Sequence, residues 1–162
     1  MKKQELIINV WVADSADELS ETDSLLLNEA LNAARNSYAP YSNFNVGVAV
    51  LLENGEIICG SNQENIAYPS GLCAERVAMF YANSKYPEVA IKSIAISSLV
   101  NGKQSKQAIY PCGACRQSMI QSEVRQKKGI RIIMAGNKDI KIVDSVKSLL
   151  PLNFDLDDCE II

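Results

Sequence analysis

Five residues have types and spacing suited to a metal site, as ligands or as groups beside them: Cys73, Glu75, Arg76, Cys112 and Cys115. Each of the three cysteines lies at the start of a segment with a helical pattern, and the last two form a C-x-x-C behind a proline. At a helix N-terminus the free backbone N–H groups and the positive end of the helix dipole favour anions, which lowers a thiol pKa and prepares a thiolate for a cation. Two converging helix ends would therefore supply three ligands to one metal ion.

The spacing of Cys73 and Glu75 predicts where such a metal lies. Residues two apart on a regular helix point roughly 200° away from each other, so we expect the metal over the helix end, with Glu75 reaching across an open coordination position. Three protein ligands and an open position are typical of catalytic zinc, whereas structural zinc usually takes a fourth protein ligand. Zinc lowers the pKa of bound water from about 15.7 to roughly 7. Because three thiolates leave the complex negative, Arg76 is expected to donate hydrogen bonds to zinc-bound sulfur and withdraw electron density.

The amino-acid composition limits the catalytic groups and the partners that this protein can use. The 162 residues contain no histidine, so acid–base work falls to other side chains, and no Ser-His or Cys-His nucleophile pair is possible. The net charge of -3 and the scattered basic residues argue against a nucleic-acid partner. The N-terminal apolar run is too short and polar for a signal or membrane segment. We therefore expect a cytoplasmic protein without a membrane partner, whose thiols stay reduced.

The length of 162 residues predicts one domain, over residues 23–162. It is preceded by an N-terminal extension, 1–22, in which the pattern predicts a strand near residues 6–12 and an acidic connector. Two strands joined at Asn54-Gly55 are expected to form a hairpin. In the helix that begins near Cys73, we expect Val77, Phe80 and Tyr81 to be the bulky anchors. The predicted helices span 23–37, 73–84 and 112–128, and the predicted strands of the domain span 46–52, 56–60, 91–100, 130–136 and 140–143.

The alternation of strands and helices predicts the α/β class. The economical architecture is a three-layer α/β/α sandwich around a mixed, about five-stranded sheet, with helices on both faces.

The chain resembles the cytidine deaminases of the three-cysteine type. The resemblance runs from about residue 24 to Phe154 and is carried by "YSNFNVGVAV", "NQENIAYPSGLCAER", "PCGACRQ" and "LLPLNF", in the family's order and spacing. It implies the cytidine deaminase-like fold and one Zn²⁺ per subunit. It also implies hydrolysis of cytidine and 2'-deoxycytidine to uridine and 2'-deoxyuridine plus ammonia, a reaction of pyrimidine salvage. In this reaction zinc-bound hydroxide attacks C4 while a glutamate shuttles protons.

The resemblance also implies a role for individual residues. The zinc ligands are Cys73, Cys112 and Cys115, the proton shuttle is Glu75, and Arg76 lies beside the ligands. The substrate-binding residues are Asn62 and Glu64 at the ribose, Phe44 on the pyrimidine, the backbone N–H of Ala74 at the base carbonyl, and Tyr68 and Phe154 at or near a neighbouring subunit's site. The three-cysteine members are homotetramers with shared active sites, so we expect a homo-oligomer whose substrate is a small nucleoside. Whether Tyr68 and Phe154 serve their own site or a neighbour's stays open.

Several alternatives remain at this stage. The C-x-x-C pair is also found in thioredoxin-like redox proteins, and the cysteines would equally suit a non-catalytic structural zinc module. A deaminase of another substrate, such as blasticidin S or a polynucleotide base, would use the same zinc site. Ile66 stands where the family commonly has a small residue. Finally, we expect Cys59 to pack within a strand and Cys159 to be an exposed tail thiol.

Other readings of single residues also stay open. Without the resemblance, the sequence fits Glu64 equally well as a solvated turn charge and Phe44 as plain core. For Arg76, a simple surface helix cation is the less favoured alternative.

Overall fold

The computed structural model describes residues 1–155, and the prediction for Cys159 lies outside them. Within this part of the chain a seven-stranded sheet carries three α-helices. The helices are α1 (Glu21–Ala34), α2 (Ala74–Lys85) and α3 (Gly113–Gln126). The strands are β1 (Trp11–Ala13), β2 (Phe44–Leu52), β3 (Ile57–Ser61), β4 (Ile91–Val100), β5 (Lys103–Gln104), β6 (Arg131–Ala135) and β7 (Ile140–Val143).

The sheet is mixed, as predicted, in the order β1-β7-β6-β4-β2-β3, with β5 beside β4. Strands β4 and β6 are parallel because α3 makes the crossover between them. The β2–β3 hairpin and the remaining pairs are antiparallel. The hairpin turns at Gly55, whose φ of 86° suits glycine.

Alternation along the central strands creates two apolar faces, because successive side chains point to opposite sides of a sheet. Val48 and Val50 of β2 face α2 and α3, whereas Ala49 faces α1. The other members follow the same division: Ile94, Ile96, Ala78 and Met119 lie on the first side, and Leu26, Ala30, Ala95 and Ile133 on the second. The predicted α/β/α sandwich is therefore confirmed.

The expectation of about five strands is too low. Strand β5 was not predicted because its two residues are too few to show the alternation of a strand. The predicted N-terminal strand is short and lies later than expected, because only Trp11–Ala13 pair with β7. The rest of the apolar run is exposed, with Ile7 at 89%. Part of the predicted extension thus forms an edge strand of the sheet.

Two packing predictions are wrong. On α2 the small residues Ala74, Ala78 and Ala82 are fully buried, while Phe80 and Tyr81 are about half exposed. The reason is the close approach of α2 to β3: a Cβ at Gly60 would lie 2.6 Å from the backbone nitrogen of Ala78. Cys59 lies in β3, but its side chain is exposed instead of packed, and its Sγ is 4.0 Å from a Glu29 carboxylate oxygen.

No helix among residues 1–155 is both long and apolar enough to cross a membrane.

Candidate active site

The N-termini of α2 and α3 bring three thiols together. Cys73 is the N-cap of α2 and Cys112 the N-cap of α3, both with extended backbone, while Cys115 lies in the first turn of α3. The Sγ of Cys112 is 3.8 Å from that of Cys73 and 3.4 Å from that of Cys115. All three sulfur atoms lie within 4.8 Å of one another. Two residues from one helix end and one from another therefore face a single point.

This donor set fits zinc. With Zn–S bonds of about 2.3 Å, tetrahedral ligands lie about 3.8 Å apart, close to the sulfur separations in this cluster. Soft thiolates select zinc over hard cations such as Mg²⁺ or Ca²⁺. Because Cys73 caps α2 from outside the helical turns, the thiol cluster lies over the helix end.

The proton affinities of the thiols are strongly unequal. Hydrogen bonding from Cys115, then from Arg76 and Cys112, lowers the pKa of Cys73 to about 5. The same bond to Cys73, together with burial, raises the pKa of Cys115. Of these two thiols, Cys73 is thus the one that ionises more readily, and a divalent ion is what would allow both to ionise.

Glu75 lies in the first turn of α2 and is 5% exposed. Burial raises the pKa of its carboxyl, and the negative charge of Cys73 raises it further. A buried carboxyl with a raised pKa, next to a metal-binding group, has the properties of an acid–base catalyst.

Arg76 contacts the thiol cluster through Cys73. Its Nη2 donates to the Sγ of Cys73 across 3.9 Å. Its Nε is buried and has no hydrogen-bond partner among the residues that the structure describes. The guanidinium therefore lies against the thiol cluster, partly buried, with one nitrogen directed at Cys73.

A cleft of about 550 Å³ opens beside Cys73 and Arg76. Its size lies within the range typical of small-molecule sites. The other lining residues come from two neighbouring segments and are Tyr41, Ser42, Asn62, Gln63, Glu64, Asn65, Tyr68, Gly71 and Leu72.

Asn62 and Glu64 line this cleft from an extended segment. Gln63, between them, pairs with Leu72 on one side and Tyr38 on the other, which holds the segment straight. The Asn62 amide accepts from the Val46 backbone, and the Glu64 carboxylate accepts from the loop before β2. The structure thus brings Glu64 into a built site, and its hydrogen bonds lower the pKa of its carboxyl.

The remaining predicted substrate-binding residues do not all lie in the cleft. Ala74 is the first residue of α2, where the N–H group has no acceptor within the helix. Tyr68 is exposed on the cleft rim and makes an edge-to-face contact with Tyr41, with ring centroids 6.1 Å apart. Phe44, which opens β2, is 37% exposed, and Phe154 is 68% exposed; neither lines the cleft.

Sequence reasoning missed Tyr41 and Ser42. They adjoin Phe44 in the quoted stretch "YSNFNVGVAV", and that neighbourhood was the available signal. Ile66 also lies outside the cleft lining and is 80% exposed.

Comparison with known proteins points to one family. The model of the "cytidine and deoxycytidylate deaminase zinc-binding region" matches residues 20–128. A cytidine deaminase of Halalkalibacterium halodurans is 36% identical over 137 residues, covering 83% of this chain and 95% of that protein. One of Sporosarcina psychrophila is 44% identical over 92 residues, covering 57% of this chain and 63% of that protein.

Solved structures of cytidine deaminases are also similar to this chain. The crystal structure of cytidine deaminase from Burkholderia pseudomallei superposes with a TM-score of 0.69 at 32% identity, covering 84% of this chain and all of that one. The enzyme from Mycobacterium tuberculosis gives a TM-score of 0.63 at 28% identity, covering 81% and 95%.

Proposed function

The chain belongs to the cytidine and deoxycytidylate deaminase family, and we propose that it hydrolyses cytidine and 2'-deoxycytidine to uridine and 2'-deoxyuridine plus ammonia. The observation that carries this proposal is the three-thiol cluster at two helix ends, with buried Glu75 beside it and a nucleoside-sized cleft in front of it. The family is a zinc-binding one, and Cys73, Cys112 and Cys115 are the residues that would hold the ion.

Zinc, when bound, supplies a Lewis acid that makes water nucleophilic at neutral pH. The chain's own contribution begins with the N-termini of α2 and α3, whose dipoles and free N–H groups stabilise the thiolates. Arg76 adds a hydrogen bond to Cys73. Withdrawing electron density from sulfur in this way keeps an all-thiolate site electrophilic.

Glu75 moves the protons. Its buried carboxyl holds a proton more readily than a solvated one because burial raises its pKa. It accepts one proton from the water that adds at C4 and delivers it to N3 of the pyrimidine. It then takes the second proton from the hydroxyl group formed at C4 and gives it to the departing amine. The C4–N bond breaks, ammonia leaves, and the oxygen of water stays on the base.

The cleft binds the rest of the nucleoside. Asn62 and Glu64 bind the ribose from one side of their extended segment, and the N–H of Ala74 donates to the base carbonyl. Among the described residues that line the cleft, Arg76 is the one cationic side chain, and it already contacts Cys73. This favours a neutral nucleoside over a substrate with a phosphate.

Tyr68 and Phe154 give the site an intersubunit component in this proposal. Both are exposed aromatic residues within one chain, which leaves them accessible to a neighbouring subunit. We therefore propose a homotetramer with shared sites, in which Phe44 packs on the pyrimidine and Tyr68 and Phe154 approach a neighbouring cleft. We place this assembly in the cytoplasm, where thiols stay reduced, with residues 23–162 as the catalytic domain and 1–22 as its extension.

The test is turnover of cytidine by purified protein whose zinc content has been measured. Loss of absorbance at the cytosine band, abolished by a chelator and restored by zinc, is the expected result. A zinc-loaded sample without turnover would favour a structural zinc module. A panel with 2'-deoxycytidine, blasticidin S and a cytosine-containing oligonucleotide identifies the substrate, and preference for either of the last two would contradict the nucleoside assignment.

A further inference from the structure

We propose that Ser42 is a positioning residue that orients Glu64 and Phe44 together and so determines how strongly the cleft prefers a nucleoside with ribose hydroxyls. The inference rests on the proposed nucleoside deamination and concerns the ribose end of the same cleft. No role in substrate binding was predicted from the sequence for Ser42 or for the other residues of the loop just before β2.

Ser42 joins two parts of the site through one oxygen atom. Its Oγ–H donates to Oε1 of Glu64 in a short hydrogen bond, and its Oγ accepts from the backbone N–H of Phe44 across 3.1 Å. Because the Phe44 N–H can only donate, the serine proton must point to Glu64. The result is a directed chain of hydrogen bonds from Phe44 through Ser42 to Glu64.

The same loop occupies the other oxygen of Glu64. Oε2 accepts from the backbone N–H of Tyr41 at 2.9 Å and from that of Ser42 at 3.3 Å. An ionised carboxylate has about four acceptor sites, so three donors from the loop leave about one for a ligand. Glu64 can therefore accept from one ribose hydroxyl, in a direction that the loop has already set.

Asn62 holds the far end of the loop. Its Nδ2 donates to the carbonyl of Phe44 at 3.0 Å, and its Oδ1 accepts from the N–H of Val46 at 2.8 Å. These two bonds attach the start of β2 to the segment that carries Glu64. Among the described side chains, only that of Ser42 bonds both to Glu64 and to the backbone of Phe44.

Charge supports the same role. Hydrogen bonding from the Ser42 hydroxyl, followed by that from the backbone of Tyr41, lowers the pKa of Glu64. The carboxylate therefore remains ionised as an acceptor for a hydroxyl group. Ser42 itself is exposed in the cleft wall, so removing its hydroxyl leaves no buried cavity and folding should survive.

The test compares cytidine with 2',3'-dideoxycytidine, which lacks both ring hydroxyls. We expect Ser42→Ala to reduce the ratio of the two kcat/KM values about tenfold, a factor that corresponds to about 1.4 kcal/mol. The loss should lie in the KM for cytidine, with kcat for both nucleosides within about twofold of wild type, because a misdirected acceptor weakens ground-state and transition-state binding alike.

Conservative variants and a control show whether the Ser42 hydroxyl causes the change in the kcat/KM ratio. Ser42→Thr keeps the hydroxyl and should restore most of the ratio, and Ser42→Cys, a weaker donor, should give an intermediate value. Ser24→Ala, on α1, removes a hydroxyl that donates to the Ala16 carbonyl outside the cleft, and should leave the ratio unchanged.

A double-mutant cycle decides whether Ser42 acts through Glu64. In a Glu64→Ala background, Ser42→Ala should cause no further loss of discrimination, because the acceptor that it orients is absent. An undiminished effect in that background would overturn the proposal. So would an equal loss for cytidine and the dideoxynucleoside, which would indicate a general disturbance of the cleft.

Measuring the affinity for the product nucleosides tests the role of Ser42 separately from the proposed deamination reaction. Absence of cytidine turnover by the zinc-loaded wild type would reject the proposed reaction alone. Calorimetric titration with uridine and 2',3'-dideoxyuridine needs no turnover, and Ser42→Ala should weaken uridine binding selectively. Equal weakening of both nucleosides, or no change for either, would reject the role of Ser42.

Discussion

The guanidinium of Arg76 lies one helical turn beyond Cys73 and donates to its sulfur across 3.9 Å. This contact matters because a site with three thiolates and no histidine would otherwise leave a bound zinc with a net negative charge. Cys73 is the N-cap of α2 and Arg76 lies in its first turn, so the helix itself sets the separation of the two side chains. In the proposed function this helix end would supply a ligand, an acid–base group and a cation within four consecutive residues, Cys73 to Arg76.

Removing the Arg76 guanidinium should weaken zinc binding and turnover. We expect Arg76→Ala to lower the zinc affinity about 10- to 100-fold, as is typical for a group that hydrogen bonds to a metal ligand. Competition with a chromophoric chelator measures this affinity. Arg76→Lys keeps the charge but not the planar guanidinium, and should recover only part of the loss. Arg35→Ala, at the exposed end of α1, is the control; an unchanged affinity in Arg76→Ala would contradict the assigned role.

Replacing Glu75 by glutamine should separate proton transfer from metal binding. The variant Glu75→Gln keeps the size of the buried side chain but cannot carry a proton, so turnover should fall by about 10² to 10⁴-fold. Zinc content and the melting temperature should match those of wild type, because the thiols alone hold the ion. Glu88→Gln on the exposed surface is the matched control. Loss of zinc together with activity would identify Glu75 as a ligand instead.

Metal removal should expose thiols selectively. In the zinc-loaded protein Cys73 and Cys112 should resist alkylation, since both sulfurs are bound, and chelation should make them reactive. Exposed Cys59 lies outside the thiol cluster and serves as an internal reference in both states. Peptide mass spectrometry after iodoacetamide treatment measures each site. Equal labelling of Cys112 with and without zinc would show that the ion binds elsewhere.

The close contact between α2 and β3 should be sensitive to a single methyl group. A Cβ at Gly60 would lie 2.6 Å from the Ala78 nitrogen and 2.9 Å from its Cβ. Gly60→Ala should therefore lower the free energy of unfolding by about 1–3 kcal/mol through overpacking, and turnover should fall as the N-terminus of α2 shifts. Gly113→Ala meets no atom within 4 Å and is the stability control for denaturant unfolding. Wild-type stability in Gly60→Ala would show that the helix has room to move.

Local patterns in the sequence predicted much of the fold because each depends on neighbouring residues. The hairpin at Gly55, the strand over residues 91–100 and the helix after Cys73 follow from turn chemistry and periodicity. The face of α2 that packs on the sheet was predicted wrongly. Its orientation depends on Gly60, a residue of β3 that lacks a side chain and lets Ala78 approach.

The sequence indicated a metal site through the types and order of a few residues, because a redox pair would account for Cys112 and Cys115 but not for Cys73 and Glu75. Tertiary structure alone brings the sulfurs of Cys73 and Cys112 to 3.8 Å, since these residues are 39 positions apart and belong to different helices. It also joins Ser42 to Glu64 across 22 positions. Such contacts follow from how helices and loops pack on a common sheet, which no local pattern encodes.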